Sequence, residues 1–156
     1  MKPEAATLLY TSSIPFSANR VRAAAVYCSD GRFGEQVDQL LHDGLDLPCY
    51  DRLAVPGGAA CLAGHFSAYR EEEAVLEQLR FLVTIHKLQR LVLVAHQNCA
   101  FYTERLHVSP VVLETQQHQD LTRAVRRVRQ FGRQLDVTAV FARLDGDSVC
   151  FEAIET

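Results

Sequence analysis

The sequence predicts an α/β protein: a mainly parallel sheet with helices on both faces and one antiparallel edge strand. Three observations carry that class. Apolar runs at 21–28, 50–55 and 90–95 have strand character, stretches of helical periodicity separate them, and the last two strands share a very short turn.

The elements follow in order. Residues 21–28 (VRAAAVYC) read as a buried strand ended by the turn residues Ser29-Asp30-Gly31. Phe33, Val37, Leu40 and Leu41 then recur at helical spacing, with Gly44 as the stop. Residues 50–55 (YDRLAV) form a second strand, cut off by Pro56-Gly57-Gly58, which no strand interior tolerates. Over 69–88 the apolar positions Ala74, Leu76, Leu79, Leu82, Val83 and Ile85 mark a helix, and Glu71–Glu73 near its start complement the macrodipole. Residues 90–95 (RLVLVA) are the clearest strand. A long polar helix around 112–131 precedes two strands, 137–143 and 148–154, which flank Asp145-Gly146-Asp147 and so run antiparallel. The chain divides into an N-terminal arm, 1–20, and a single α/β domain, 21–156.

Composition narrows the function classes. With 156 residues, 48% hydrophobic content and a net charge of −3, the chain can bury a core without disulfide staples and is not disordered. Its longest apolar runs, 23–28 and 91–95, fall far short of the ~18–20 residues of a membrane helix. The N-terminus, MKPEAATLLYTSS, lacks the layout of a secretory signal, so a cytoplasmic location and no membrane partner are expected. Five cysteines is an odd number, which argues against a disulfide framework and leaves packing, metal binding or catalysis.

In open α/β sheets, ligands bind beyond the carboxyl ends of the strands. Here the first strand ends in Cys28-Ser29-Asp30-Gly31-Arg32 and the third in His96-Gln97-Asn98-Cys99. If the two strands are neighbours, Cys28, His96 and Cys99 converge. Two thiolates and an imidazole are the ligand set of a catalytic zinc site with its fourth position open. Either fragment alone is usually a packing cysteine or an accident of spacing. Their joint placement, with Asp30 and Arg32 beside a thiolate where packing has no use for them, points to chemistry.

Both fragments together resemble the signatures of the β-class carbonic anhydrases, Cys-x-Asp-x-Arg and His-x-x-Cys. The order of the remaining parts is similar over about residues 21–154, including a glycine-rich loop after the second strand. The resemblance implies a sheet of order 2-1-3-4 with an added edge strand. It also implies Zn2+ bound by Cys28, His96 and Cys99, and hydration of carbon dioxide to bicarbonate by a zinc hydroxide that Asp30 orients, with Arg32 holding Asp30 off the metal. A homodimer or larger homo-oligomer follows from the same likeness. The chain departs from the family in having Pro56-Gly57-Gly58-Ala59-Ala60 where Arg-Asn-Ala-Gly-Asn is usual, Ala100 after the last cysteine, Ala95 before the histidine, a long N-terminal arm reduced to about twenty residues, and no match for a glutamine near the substrate. These changes favour, as alternatives, a zinc hydrolase of another small molecule such as carbon disulfide or carbonyl sulfide, or a non-catalytic zinc-binding interaction module.

Rival chemistries fit less well. Cys99 to Arg105 has the Cys-x5-Arg spacing of a cysteine phosphatase, but its intervening residues lack glycines and Glu104 would repel phosphate. A metal-free cysteine hydrolase leaves either Cys28 or Cys99 unexplained. Arg123, Arg126, Arg127, Arg129 and Arg133 read as a solvated face or subunit contact on a net acidic chain, so no nucleic-acid partner is expected. His42, His65, His86, His107 and His118 read as surface or ordinary polar residues, with His65 set apart because it follows the glycine-rich loop. Cys49, Cys61 and Cys150 read as packing cysteines.

Overall fold

The computed structural model describes residues 6–156. Five strands, β1 (Ala23–Cys28), β2 (Asp51–Val55), β3 (Arg90–His96), β4 (Asp136–Asp145) and β5 (Ser148–Ala153), form one sheet of order β2-β1-β3-β4-β5. All neighbours are parallel except β4 and β5, where Asp145 pairs with Ser148 across a two-residue turn. The expected order and the antiparallel edge are both present.

Three helices cover the sheet: α1 (Gly34–Gln39), α2 (Tyr69–Ile85) and α3 (Leu113–Arg129). Because strand side chains alternate, β1 and β3 each feed two cores. Ala24, Val26, Leu91 and Leu93 join α2 and α3 on one face. Ala23, Ala25, Tyr27, Val92 and Val94 meet Val37 and Leu41 on the other. The three alanines of β1 let the covering elements approach closely at the sheet's centre. The helix expected around 33–44 keeps α-geometry only to Gln39, then widens into a π-turn, Leu40–Gly44. Residues 6–20 carry no helix or strand, and no helix among the described residues is long and apolar enough to cross a membrane.

Parallel pairing of β1 with β3 brings their carboxyl ends to one edge of the sheet. Ala23 pairs with Arg90 and Val26 with Leu93, so Cys28 stands level with Ala95 and His96 lies one residue beyond. That register positions the site.

Candidate metal centre

Cys28, His96 and Cys99 come together beyond these two strand ends. One ligand atom from each lies within 4.8 Å of the others. Cys28 ends β1 directly. His96 ends β3, and the turn that follows adopts a left-handed conformation at Asn98 (φ 57°), a residue that tolerates it, which brings Cys99 back beside the histidine.

The donor set fits a tetrahedral metal ion. The two sulfurs are 3.9 Å apart. Two thiolates about 2.3 Å from a tetrahedral zinc would stand about 3.8 Å apart. His96 Nδ1 donates to the Gln97 carbonyl at 2.9 Å, which fixes the tautomer and leaves Nε2 with its lone pair free. Among the described residues, that buried Nε2 has no hydrogen-bond partner. Phe33 lies against the imidazole, ring centres 4.3 Å apart, and Gln117 Nε2 holds the His96 backbone carbonyl at 2.8 Å. Sequence reasoning missed Gln117, because one glutamine in a polar helix gives no sign that it is buried.

The two sulfurs are in contact and shift each other's acidity in opposite directions. Contact with Cys99 lowers the Cys28 thiol to about 4 against the cost of burial, with the backbone amides of Asp30 and Gly57 assisting. The same contact, together with burial, pushes Cys99 up.

Asp30 stands beside this group and is held by Arg32. The guanidinium grips the carboxylate with two short bonds, Nε to Oδ1 at 2.9 Å and Nη2 to Oδ2 at 2.6 Å. This pairing holds the Asp30 carboxyl down to about 2. Asp30 and Arg32 are thus brought together, as the motif implied, next to the convergent Cys28, His96 and Cys99.

The glycine-rich loop caps the end of β1. Gly57 (φ 83°) and Gly58 (φ 52°) both take left-handed backbone. A Cβ on Gly58 would stand 2.5 Å from the Cys28 nitrogen, so only glycine lets the loop lie against this strand end. A cavity of about 640 Å3 opens over Cys28, Asp30 and His96, walled by Val55, Pro56 and Phe101.

Behind the loop lies a cluster that the sequence did not announce. His65 is no ordinary polar residue: Nδ1 meets Glu72 at 2.6 Å and Nε2 meets Asp120 at 2.7 Å. Both carboxylates are buried, and Glu72 also accepts the backbone N–H groups of Gly64 and His65. Of the arginines expected on a solvated face, Arg127 instead turns to Glu72 and Glu73, while Arg123 stays half exposed and also pairs with Asp120. Periodicity cannot distinguish a glutamate at a helix start that faces water from one that turns inward.

Other expectations need correction. Cys61 is buried, but Cys49 and Cys150 are exposed and do not pack. Cys49 sits in the coil before β2, and Cys150 faces outward on the edge strand. The Cys99–Arg105 spacing forms no phosphate cradle, because Arg105 bonds Glu71 and the Ser67 carbonyl.

Comparison with known proteins agrees with this arrangement. Residues 18–151 match the family described as "Putative carbonic anhydrase". Among solved structures, the carbonic anhydrase from Glaciozyma antarctica is similar at 13% identity and a TM-score of 0.57, covering 89% of this chain and 85% of its own. The carbonic anhydrase from Streptococcus mutans gives 14% identity, a TM-score of 0.56 and coverage of 94% and 88%. The β-carbonic anhydrase isoform I from Trichomonas vaginalis gives 13%, 0.54, and 93% and 87%. At such identities the likeness establishes the shared fold. No curated protein matches the chain. The family match spans most of the sequence, including β1, β3 and the loops that follow them, and on that ground the chain belongs to this carbonic anhydrase family.

Proposed function

We propose that the protein hydrates carbon dioxide to bicarbonate with a zinc ion held by Cys28, His96 and Cys99. The observation that carries this reading is the arrangement at the ends of β1 and β3: three convergent donors with Asp30 paired to Arg32 beside them. Zinc in such a site supplies a nucleophile near neutral pH by lowering the pKa of water. Arg32 keeps the Asp30 carboxylate ionised and oriented as a hydrogen-bond acceptor. Gln97 and Gln117 hold His96 in place, and the Gly57–Gly58 loop shields Cys28. The apolar walls at Val55, Pro56 and Phe101 suit a small neutral substrate.

The breadth of the cavity, about 640 Å3, favours a second reading in which another small electrophile, such as carbonyl sulfide or carbon disulfide, is the substrate. Exposed apolar side chains at Leu8, Leu9, Ile14 and Phe16 support a homodimer or larger assembly, in which these side chains find cover.

The test is stopped-flow carbon dioxide hydration above about pH 8 on protein with its zinc content measured. About one zinc per chain and a rate above buffer are expected, with Asp30→Ala retaining zinc and losing turnover. Full zinc occupancy without hydration, but with turnover of carbonyl sulfide, would shift the assignment to the second reading. Zinc without either activity identifies an interaction module.

A further inference from the structure

A second cavity, of about 670 Å3, opens at the opposite end of the sheet, between the end of α2, the α3–β4 loop and the chain entering β1. Three cations line it, Arg22, Lys87 and Arg133, and no acidic side chain does. Among the described residues, none of the three joins an ion pair; the arginines that do are elsewhere. Asp136, next along the chain, lies outside the lining and faces Arg90 at 3.8 Å. The whole chain carries a net charge of −3, so a basic composition does not account for this concentration of positive charge. Like charges gathered in a concave site repel one another and raise the local concentration of anions.

The remaining lining is apolar below and amide-bearing at the rim. Leu88 and Leu135 are buried, Phe131 lines the wall with the Arg80 guanidinium 5.3 Å from its ring centre, and Gln130 and Gln134 supply hydrogen-bonding groups. The wall is held in shape by backbone bonds. The amides of Phe131 and Gly132 both donate to the Val128 carbonyl, at 3.1 and 2.8 Å, and Leu135 closes onto Gly132 at 3.0 Å. Across the cavity the amides of Gln89 and Arg90 donate to the Arg22 carbonyl at 2.7 and 3.2 Å, which fixes the backbone from which Arg22 projects. A Cβ on Gly132 would meet Leu135 Cδ1 at 2.4 Å, so the turn is fitted to its floor. The volume falls within the range of small-molecule sites, and the lining is as polar as it is apolar, which suits a charged ligand with an apolar part.

We propose that this cavity binds a small phosphate-bearing ligand with a flat apolar part, of the nucleoside monophosphate class. The cations take the phosphate, Phe131 and Leu135 take the ring, and the glutamine amides meet the ring's polar edge. The site is separate from the metal centre. Arg90, at the near end of β3, and His96, at the far end, are six residues apart, about 20 Å along the strand. The ligand therefore does not touch the reacting atoms, and its binding does not depend on the metal.

Calorimetric titration of the full chain with AMP, adenosine, inorganic pyrophosphate and a short single-stranded RNA tests this. AMP is expected to bind at about 1 mM or tighter, adenosine about tenfold or more weakly, with affinity falling as salt rises. Lys87→Gln and Arg133→Gln, both at exposed positions, should each weaken AMP about fivefold, while Arg70→Gln, away from the cavity, should not. No binding of AMP at about 10 mM, or an affinity in both variants unchanged from the parent protein, overturns the site. Pyrophosphate binding as tightly as AMP overturns the nucleoside assignment in favour of free phosphate. RNA binding that strengthens with length overturns it in favour of a polyanion surface.

Discussion

Gln117 Nε2 donates to the backbone carbonyl of His96 across 2.8 Å, so α3 holds the last residue of β3 from behind. Gln117 is 1% exposed, so this bond is buried. Gln117→Leu should leave the carbonyl buried and unpaired and lower stability by about 1–3 kcal/mol. It should also weaken zinc retention by about tenfold, since His96 loses its rigid support. Urea unfolding and competition with a chelating dye measure the two effects; a variant unchanged in both would remove Gln117 from the site.

The His65 clamp sets a pH dependence. Burial opposes the charged imidazole, but bonds to Asp120 and Glu72 outweigh it and raise its pKa to about 9. In the unfolded chain it titrates near 6.5. Because the folded state binds the proton more tightly, this contribution is fully present below about pH 6.5 and is lost as pH rises through about 9. The span corresponds to roughly 3 kcal/mol. Urea unfolding at about pH 6, 8 and 10 should show the loss, and His65→Gln should flatten the profile while lowering stability near neutrality by about 3–5 kcal/mol. A native profile that does not fall across this window contradicts the clamp.

Two glycines near the site should respond oppositely to alanine. Gly58→Ala forces a Cβ against the backbone of Tyr27 and Cys28 in a left-handed conformation. A loss of about 1–3 kcal/mol or more and reduced zinc uptake should follow. A Cβ on Gly31 meets nothing within 4 Å, so Gly31→Ala should stay within about 0.5 kcal/mol of the parent. Thermal unfolding of both variants checks the contrast.

Arg32→Gln should release Asp30 from its guanidinium. The carboxyl pKa, now about 2, should move up toward the ordinary value near 3.9, visible as a shifted carbon-13 titration. Hydration should fall by about 10–100-fold with zinc retained. Unchanged turnover would leave the Asp30–Arg32 pair without a mechanistic role.

The fold was legible in the sequence because its strands announce themselves. The run of alanines and valine in β1, the apolar β3 and the Gly146-Asp147 turn each admit one reading. The site was legible for a related reason: its residues follow directly on strand ends, where a local motif and a topological rule meet. What stayed hidden involves side chains that turn inward from polar stretches. Glu72, Asp120, Gln117 and Arg127 lie on helices whose composition resembles a solvated surface, and only tertiary partners decide which way they face. Cys49 and Cys150 erred in the other direction, since residue type alone does not place a cysteine inside.

The spacing of Cys28 and Cys99 has a consequence for the chain whenever no metal holds the two sulfurs apart. Two sulfurs 3.9 Å apart need move only about 2 Å closer to bond. Hydrogen peroxide would convert Cys28 to a sulfenic acid, and the Cys99 thiol would then displace water to form a disulfide. Metal and oxidant would thus compete for the same pair of atoms, and a chain that meets peroxide first could take no metal at these sulfurs until a reductant reopened them.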